Sequence, residues 1–310
     1  MNEASLIGLL EATVSFGALL YLAALGEMIT EKAGILNLGV EGMMAIGAVT
    51  GFVVALQTEN PWVALVAAIC AGALAGLLHG LFTVVLGAEQ VVSGLSLTIL
   101  GIGLAAYIGK GSVGRPAGAE LVPVDWGPLT DIPWAGPVLF QQSPLVYMAV
   151  LAGLAAWFVL GRTRLGLAVR AAGESAPTAD AAGHSVVGLR LGAVATGGAL
   201  AGASGAYLTL SITPQWVEGV IAGRGWIAVA LVIFGAWRPG RVALGALLFG
   251  LTLALKTRLQ TFGVDFSPIL LSMLPYLLTV GVLVAISIRA RNRPSPAPAA
   301  LGIAYRREER

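Results

Sequence analysis

Asn37 and Glu41 lie four residues apart in an otherwise apolar, glycine-rich run, Gly34-Ile-Leu-Asn37-Leu-Gly-Val-Glu41-Gly-Met-Met. In a helix that spacing stacks two side chains one turn apart on one face, setting an amide donor and acceptor beside a carboxylate. A carboxylate at membrane depth is costly unless it faces a cavity or a partner, so Glu41 marks a candidate pathway for a polar, hydrogen-bonding solute. Its other possible role is a rivet, protonated or hydrogen-bonded to a neighbouring helix. A second polar stripe, Gln90, Ser93 and Ser96 at three-residue spacing, opens another apolar run. It suits pathway lining and simple helix packing equally, because hydroxyls in helices often bond their own i−4 carbonyls. A third cluster, Gly223-Arg224-Gly225-Trp226, puts Arg224 at an interface and Trp226 either at headgroup level, the ordinary place for an aromatic anchor, or against a solute.

The elements holding these residues are membrane spans. The 310 residues are 57% hydrophobic and 11% charged, with a mean hydropathy of +0.87, far from the roughly one-quarter charged of soluble domains. At ~20 residues per helix, eight or nine spans consume nearly the whole length and exclude a soluble catalytic or nucleotide-binding domain. The fold expected is therefore an all-α polytopic transmembrane helix bundle. Apolar runs place spans at 6–25, 35–56, 62–86, 91–108, 145–160, 191–212, 242–255 and 269–288. A ninth stretch, 225–236, is too short to cross and precedes Arg-Pro-Gly-Arg, so it reads as a half-helix or re-entrant piece lining a cavity.

Lys/Arg bias sets orientation. The 162–190 loop carries Arg162, Arg164, Arg170 and Arg190, and the tail adds Arg289, Arg291, Arg293, Arg306, Arg307 and Arg310, so both are expected in the cytoplasm. The 110–143 loop, with Glu120, Asp125 and Asp131 and several Pro and Trp residues, is expected outside as an ordered cap. Span parity depends on the 225–236 piece; an outward N-terminus is preferred. Met1 to Ser5 lacks the basic region of a cleaved signal peptide, so the first span is expected to be retained. Residues 1–293 read as one transmembrane domain, and the Pro/Ala-rich 294–310 as a disordered tail. Scattered basic residues exclude a nucleic-acid stripe, and Cys70 has no internal disulfide partner.

Within the 162–190 loop, Ser175 suits a helix N-cap, with Pro177 in the first turn and Gly183 as the stop. The resulting short helix lies outside the membrane and is too short to be stable without packing. Small residues at four-residue spacing (Gly72, Gly76 and Gly80; Gly198 and Gly202) signal close helix packing. Gly202-Ala-Ser204-Gly205 matches an intramembrane serine protease motif, but His79 and His184 both precede the serine, where that motif pairs it with a histidine on a later helix. No Walker, metal-ligand or paired catalytic carboxylate pattern is present.

Three segments together carry a family resemblance: Glu27-Met-Ile-Thr-Glu31-Lys-Ala-Gly-Ile-Leu-Asn37-Leu-Gly-Val-Glu41-Gly-Met-Met, then Gly166 through Gly183, then Gly223 through Pro239. Over roughly residues 10 to 285 the chain resembles the permease subunits of bacterial ABC importers of the branched-chain amino acid and ribose superfamily, most closely the nucleoside or simple-sugar branch. It departs from that pattern at Gln90 and His184. The resemblance implies a multi-pass inner-membrane permease that is not itself an enzyme and binds no cofactor. It would pair with a second permease, identical or homologous, with cytoplasmic ATPase subunits that hold ATP and Mg, and with an extracytoplasmic solute-binding lipoprotein. It further implies ATPase coupling through Arg170, Gly173, Glu174, Ala179, Ala182 and Gly183, and a solute pathway past Asn37, Glu41, Gln90, Ser93, Ser96, Arg224 and Trp226. Two rivals stand beside it: branched-chain amino acid import, with Arg224 and Glu41 as the zwitterion's partners, and an ion-coupled carrier with Glu41 as the ion site.

Overall fold

In the computed structural model, the described residues are 3–261, 273–275, 277–282, 284, 288 and 296–306. Among the described residues up to Thr261, ten α-helices follow one another: α1 (Glu3–Lys32), α2 (Val40–Thr58), α3 (Pro61–Gly80), α4 (Gln90–Gly109), α5 (Pro144–Arg162), α6 (Arg164–Glu174), α7 (Ala176–Ala181), α8 (Val186–Tyr207), α9 (Arg224–Phe234) and α10 (Pro239–Thr261). Seven of them, counting the turns that extend α3, α4 and α8, are long and apolar enough to cross a membrane, and no strand occurs among the described residues. The chain is a multi-pass helical membrane protein. The expected span at 269–288 falls largely outside the described residues.

Local chemistry sets several of the ends. Asn60 caps α3 by accepting from the Trp62 and Val63 N–H groups at 3.0 and 3.2 Å, with Pro61 in the first turn. Glu89 caps α4 in the same way, at 3.1 and 2.6 Å from Val91 and Val92. Asn60 joins α2 and α3 as an antiparallel pair through a turn in which Glu59 adopts φ +50°.

The centre of the bundle is α8, packed against α1, α2 and α3. A methyl group on Gly72 would collide with the Gly198 carbonyl, and one on Gly202 with the Ala68 carbonyl, so the glycine stripes are contact surfaces between backbones. Ser204 is fully buried, and its hydroxyl donates to the Leu19 carbonyl at 2.7 Å. It rivets α8 to α1 and is no nucleophile.

Tertiary contacts sort the turns onto two faces. On one, Gly173 abuts Lys32 and Arg190 donates to the Ala33 carbonyl at 3.1 Å. On the other, residues 110–143 cover the far end of α8: Ala117 donates to the Pro214 carbonyl at 2.9 Å and Leu121 to the Leu210 carbonyl at 2.8 Å. Ser15 in α1 donates to Gln142 of this cap at 3.0 Å, so α1 begins on the cap face, opposite the 162–190 loop.

Two expectations are corrected. The second helix starts at Val40 rather than 35, because Gly34 takes φ +90° and residues 33–39 run as an irregular turn. Asn37 and Glu41 therefore do not share a helical face. The tail, expected to be disordered, is ordered at residues 296–306: Ala300 donates to the Gly173 carbonyl at 2.8 Å and Gly302 to the Gly34 carbonyl at 3.3 Å. Buried carbonyls left open by neighbouring turns recruit a segment whose Pro and Ala content suggested no structure.

Candidate functional site: a carboxylate at the start of a half-helix

Residues 213–222 descend from the cap face as irregular chain and end at Gly223, whose φ of +80° lets the backbone turn into α9. Here Glu41 meets the helix: Oε1 accepts from Gly223 N–H at 2.7 Å and Oε2 from Gly225 N–H at 2.6 Å. These are orphan donors of a helix N-terminus, where the backbone dipoles favour negative charge. Gly225 must be glycine, since a β-carbon there would lie 2.5 Å from the Glu41 Cα. Gly42, the next residue in α2, abuts Leu97, Thr98 and Gly101, midway along α4, so the junction sits at the middle of the bundle. From it α9 runs to the face of the 162–190 loop, where Trp237 Nε1 donates to Glu31 Oε2 at 2.5 Å. The expected half-helix at 225–236 is thus α9.

Beside Glu41 lies a cavity of about 190 Å³ lined by Ala45, Ile102, Ala105, Trp216 and Val220 among others. Trp216 is 1% exposed, tilts against Phe52 at 6.2 Å between ring centroids, and has no hydrogen-bond partner for its indole N–H. Arg224 turns back on its own loop, donating to the Val220 and Ile221 carbonyls at 2.6 and 3.0 Å. Trp226, in the first turn of α9, is 37% exposed and is not among the residues lining the cavity.

The remaining candidates gather elsewhere, around the 33–39 turn. Asn37 is fully buried, with its Oδ1 accepting from Gly39 N–H at 3.0 Å and its own N–H donating to Glu27 Oε1 at 3.0 Å. Gln90 accepts from Leu36 N–H at 2.7 Å. His79 joins Ser93 Oγ at 3.0 Å to the Leu36 carbonyl at 3.1 Å, and Thr98 donates to the Leu38 carbonyl at 2.9 Å. The open backbone groups of the turn are thereby sutured to α1, α3 and α4. Ser96 is exposed in an apolar groove of about 420 Å³ between α3 and α4, with Leu78, Phe82, Val92 and Leu100, and His79 and Ser93 line the same groove.

Sequence reasoning missed Glu27, Glu31, His79, Trp216 and Arg190. The two glutamates were detectable by the criterion that found Glu41, being ionisable residues one turn apart at the end of an apolar span. No local signal marks Trp216, whose place depends on a loop folding inward.

Residues 9–283 match the family described as "Branched-chain amino acid transport system / permease component". The chain belongs to this permease family. It is 41% identical to a Haloferax volcanii protein named "Putative glucose ABC transporter permease protein", over 97% of this chain and 98% of that one. It is 33% identical to a guanosine ABC transporter permease protein of Bacillus subtilis (87% and 88% covered) and 34% identical to a nucleoside ABC transporter permease protein of Lactococcus lactis (85% and 87%).

In this permease the 162–190 loop is more structured than the single short helix expected. Helix α6 leads to Gly173, which packs so tightly on the Lys32 carbonyl that a side chain would collide. Ser175 then caps α7, accepting from Thr178 N–H at 3.4 Å, and Gly183 closes it at φ +85°. Ala176 and Ala179 bury against Ala172 and Val186, which supplies the packing that so short a helix needs. Ala182, Gly183 and Glu174 are exposed, while Arg170 is half-buried with its Nε donating to the Gly166 carbonyl at 3.4 Å.

Proposed function

We propose that this permease carries an uncharged polar solute, a nucleoside or simple sugar, into the cytoplasm as the membrane subunit of an ATP-driven importer. The single observation that carries the choice of solute is the Glu41 carboxylate on the N-terminal amides of α9. In transporters with broken helices, the free N-terminus of a half-helix is where an anionic substrate group is held. Here that position is filled by the protein's own carboxylate, which repels a second one. An amino acid finds no seat there, whereas a hydroxylated neutral solute can share the carboxylate's remaining lone pairs. The glucose and nucleoside names of the relatives point the same way.

The cavity is smaller than the ~300–1,000 Å³ of ordinary ligand pockets, so it acts as a constriction that widens when the helices move. Energy comes from ATP and Mg on cytoplasmic ATPase subunits that grip α7 and its two ends through Glu174, Ala182, Gly183 and their neighbours. A second permease completes the pathway, and a solute-binding lipoprotein delivers cargo to the 110–143 cap.

The test is uptake into proteoliposomes holding the permease, its ATPase, its partner permease and the binding protein. ATP-dependent uptake of a nucleoside or hexose, unaffected by excess leucine, is expected. Leucine uptake would overturn the solute assignment. Accumulation by the permease alone on an ion gradient would overturn the ATP-driven mechanism.

A further inference from the structure

Residues 296–306 cross the face that carries the coupling loop and touch three separate turns. Toward α6 and α7, Ala300 donates to the Gly173 carbonyl at 2.8 Å, Ala299 donates to Glu174 Oε2 at 3.2 Å, and the Tyr305 hydroxyl donates to Asp180 Oδ2 at 3.1 Å. The Tyr305 ring also packs on the cluster of Ala172, Ala176, Ala179 and Val186. Toward the α1–α2 turn, Gly302 donates to the Gly34 carbonyl at 3.3 Å. Arg190, 1% exposed, links the same two parts, donating from Nε to the Ala33 carbonyl at 3.1 Å and from Nη1 to the Ile303 carbonyl at 3.2 Å. Toward α3 and α4, the Arg306 guanidinium lies against Gly87.

These contacts have a mechanical consequence. Without the segment, α7 meets the rest of the bundle through the short Ala172–Val186 cluster and the Gly173–Lys32 contact, and a six-residue helix held so lightly can rock without moving anything else. The α1–α2 turn, by contrast, runs directly through Asn37 into Glu41 and so to the start of α9. We infer that residues 296–306 are a transmission strap that makes α6–α7 and the α1–α2 turn move as one body, with Tyr305 and Arg190 as positioning residues; this rests on the coupling role of α7 proposed above. A push on α7 then reaches Glu41 through a chain of backbone contacts instead of being lost in the loop.

The experiment uses the complete reconstituted transporter and reads solute imported per ATP hydrolysed. A chain ending at residue 295 is expected to assemble with the ATPase and to hydrolyse ATP, but to import at least about fivefold less per ATP, the lower bound of ordinary coupling between sites. Tyr305→Phe, which keeps the ring and loses one hydrogen bond, is expected to lower the ratio roughly threefold. Hydrogen exchange at residues 173–183 should rise in the truncated chain. An unchanged ratio in both the truncated chain and Tyr305→Phe would overturn the strap, as would truncation that abolishes ATPase binding while Tyr305→Phe behaves as wild type. The wild-type arm keeps the underlying reading separate: if it shows no ATP-driven uptake, the coupling role itself fails, and the strap's with it.

Discussion

The Glu41–α9 junction and the sutured 33–39 turn are built from the same materials, buried polar side chains meeting open backbone groups, yet they lead to different behaviour. Around the turn, Asn37, Gln90, His79, Ser93 and Thr98 each bond a backbone group or one another, so the turn is fixed even though His79 and Ser93 also line the apolar groove between α3 and α4. At the junction, the carboxylate holds two amide donors while a cavity opens beside it and the Trp216 N–H has no partner. The two regions thus divide by what their polar groups hold: irregular backbone at the turn, and at the junction the start of a half-helix beside a cavity. Satisfaction alone does not separate a rivet from a pathway.

The contrast can be broken most sharply at Glu41. In Glu41→Gln the amide accepts from one of the two α9 donors and turns its own NH₂ toward the other. Import should fall roughly ten- to hundredfold, in line with the ~1–3 kcal/mol cost of an unsatisfied buried group, with ATPase assembly preserved in pull-down. Normal uptake would make Glu41 another rivet. Gly225→Ala should push α9 off the carboxylate and cut uptake about tenfold, a loss of the same origin. Unaltered import would show that the junction tolerates a shift.

On the side of the turn, Glu174→Arg removes the acceptor for Ala299 N–H and reverses a charge beside the Gly173–Lys32 contact. Solute moved per ATP should drop about fivefold with KM unaltered; a changed KM would put this region in contact with solute. Asn37→Ala should lower the thermal midpoint of the purified protein through a loss of about 1–2 kcal/mol, again at constant KM. The smallest effect is expected for Ser96→Ala, within ~0.5 kcal/mol in stability and without a measurable change in uptake, because Ser96 faces an apolar groove away from the junction.

Much of the architecture was legible in the chain. Seven of the eight apolar runs correspond to the crossing helices among the described residues, because each must satisfy its backbone internally across the bilayer, and the shortness of 225–236 marked the broken helix. Ser175, Pro177 and Gly183 foretold α7 through capping chemistry that acts within a few residues. Glycine spacing foretold close packing at α3 and at α8, and the structure shows that they pack on each other. The two misreadings have different causes, one local and one long-range. Asn37 falls outside the helix because Gly34 adopts a left-handed turn that its apolar neighbours do not signal, and the tail is ordered by Gly34, Gly173 and Arg190, which lie more than a hundred residues away in the chain.

Composition, hydropathy period and capping residues act over a few turns of chain, so the sequence by itself determined that this is a polytopic helical permease, where its spans lie, and that Glu41 is worth attention. Only the tertiary structure decided what Glu41 touches, that Asn37 and Gln90 hold a turn rather than share its cavity, and that the tail ties α7 to the α1–α2 turn. Those outcomes depend on hydrogen bonds between residues distant in the chain, and a buried carbonyl or amide takes whichever partner packing brings within about 3 Å.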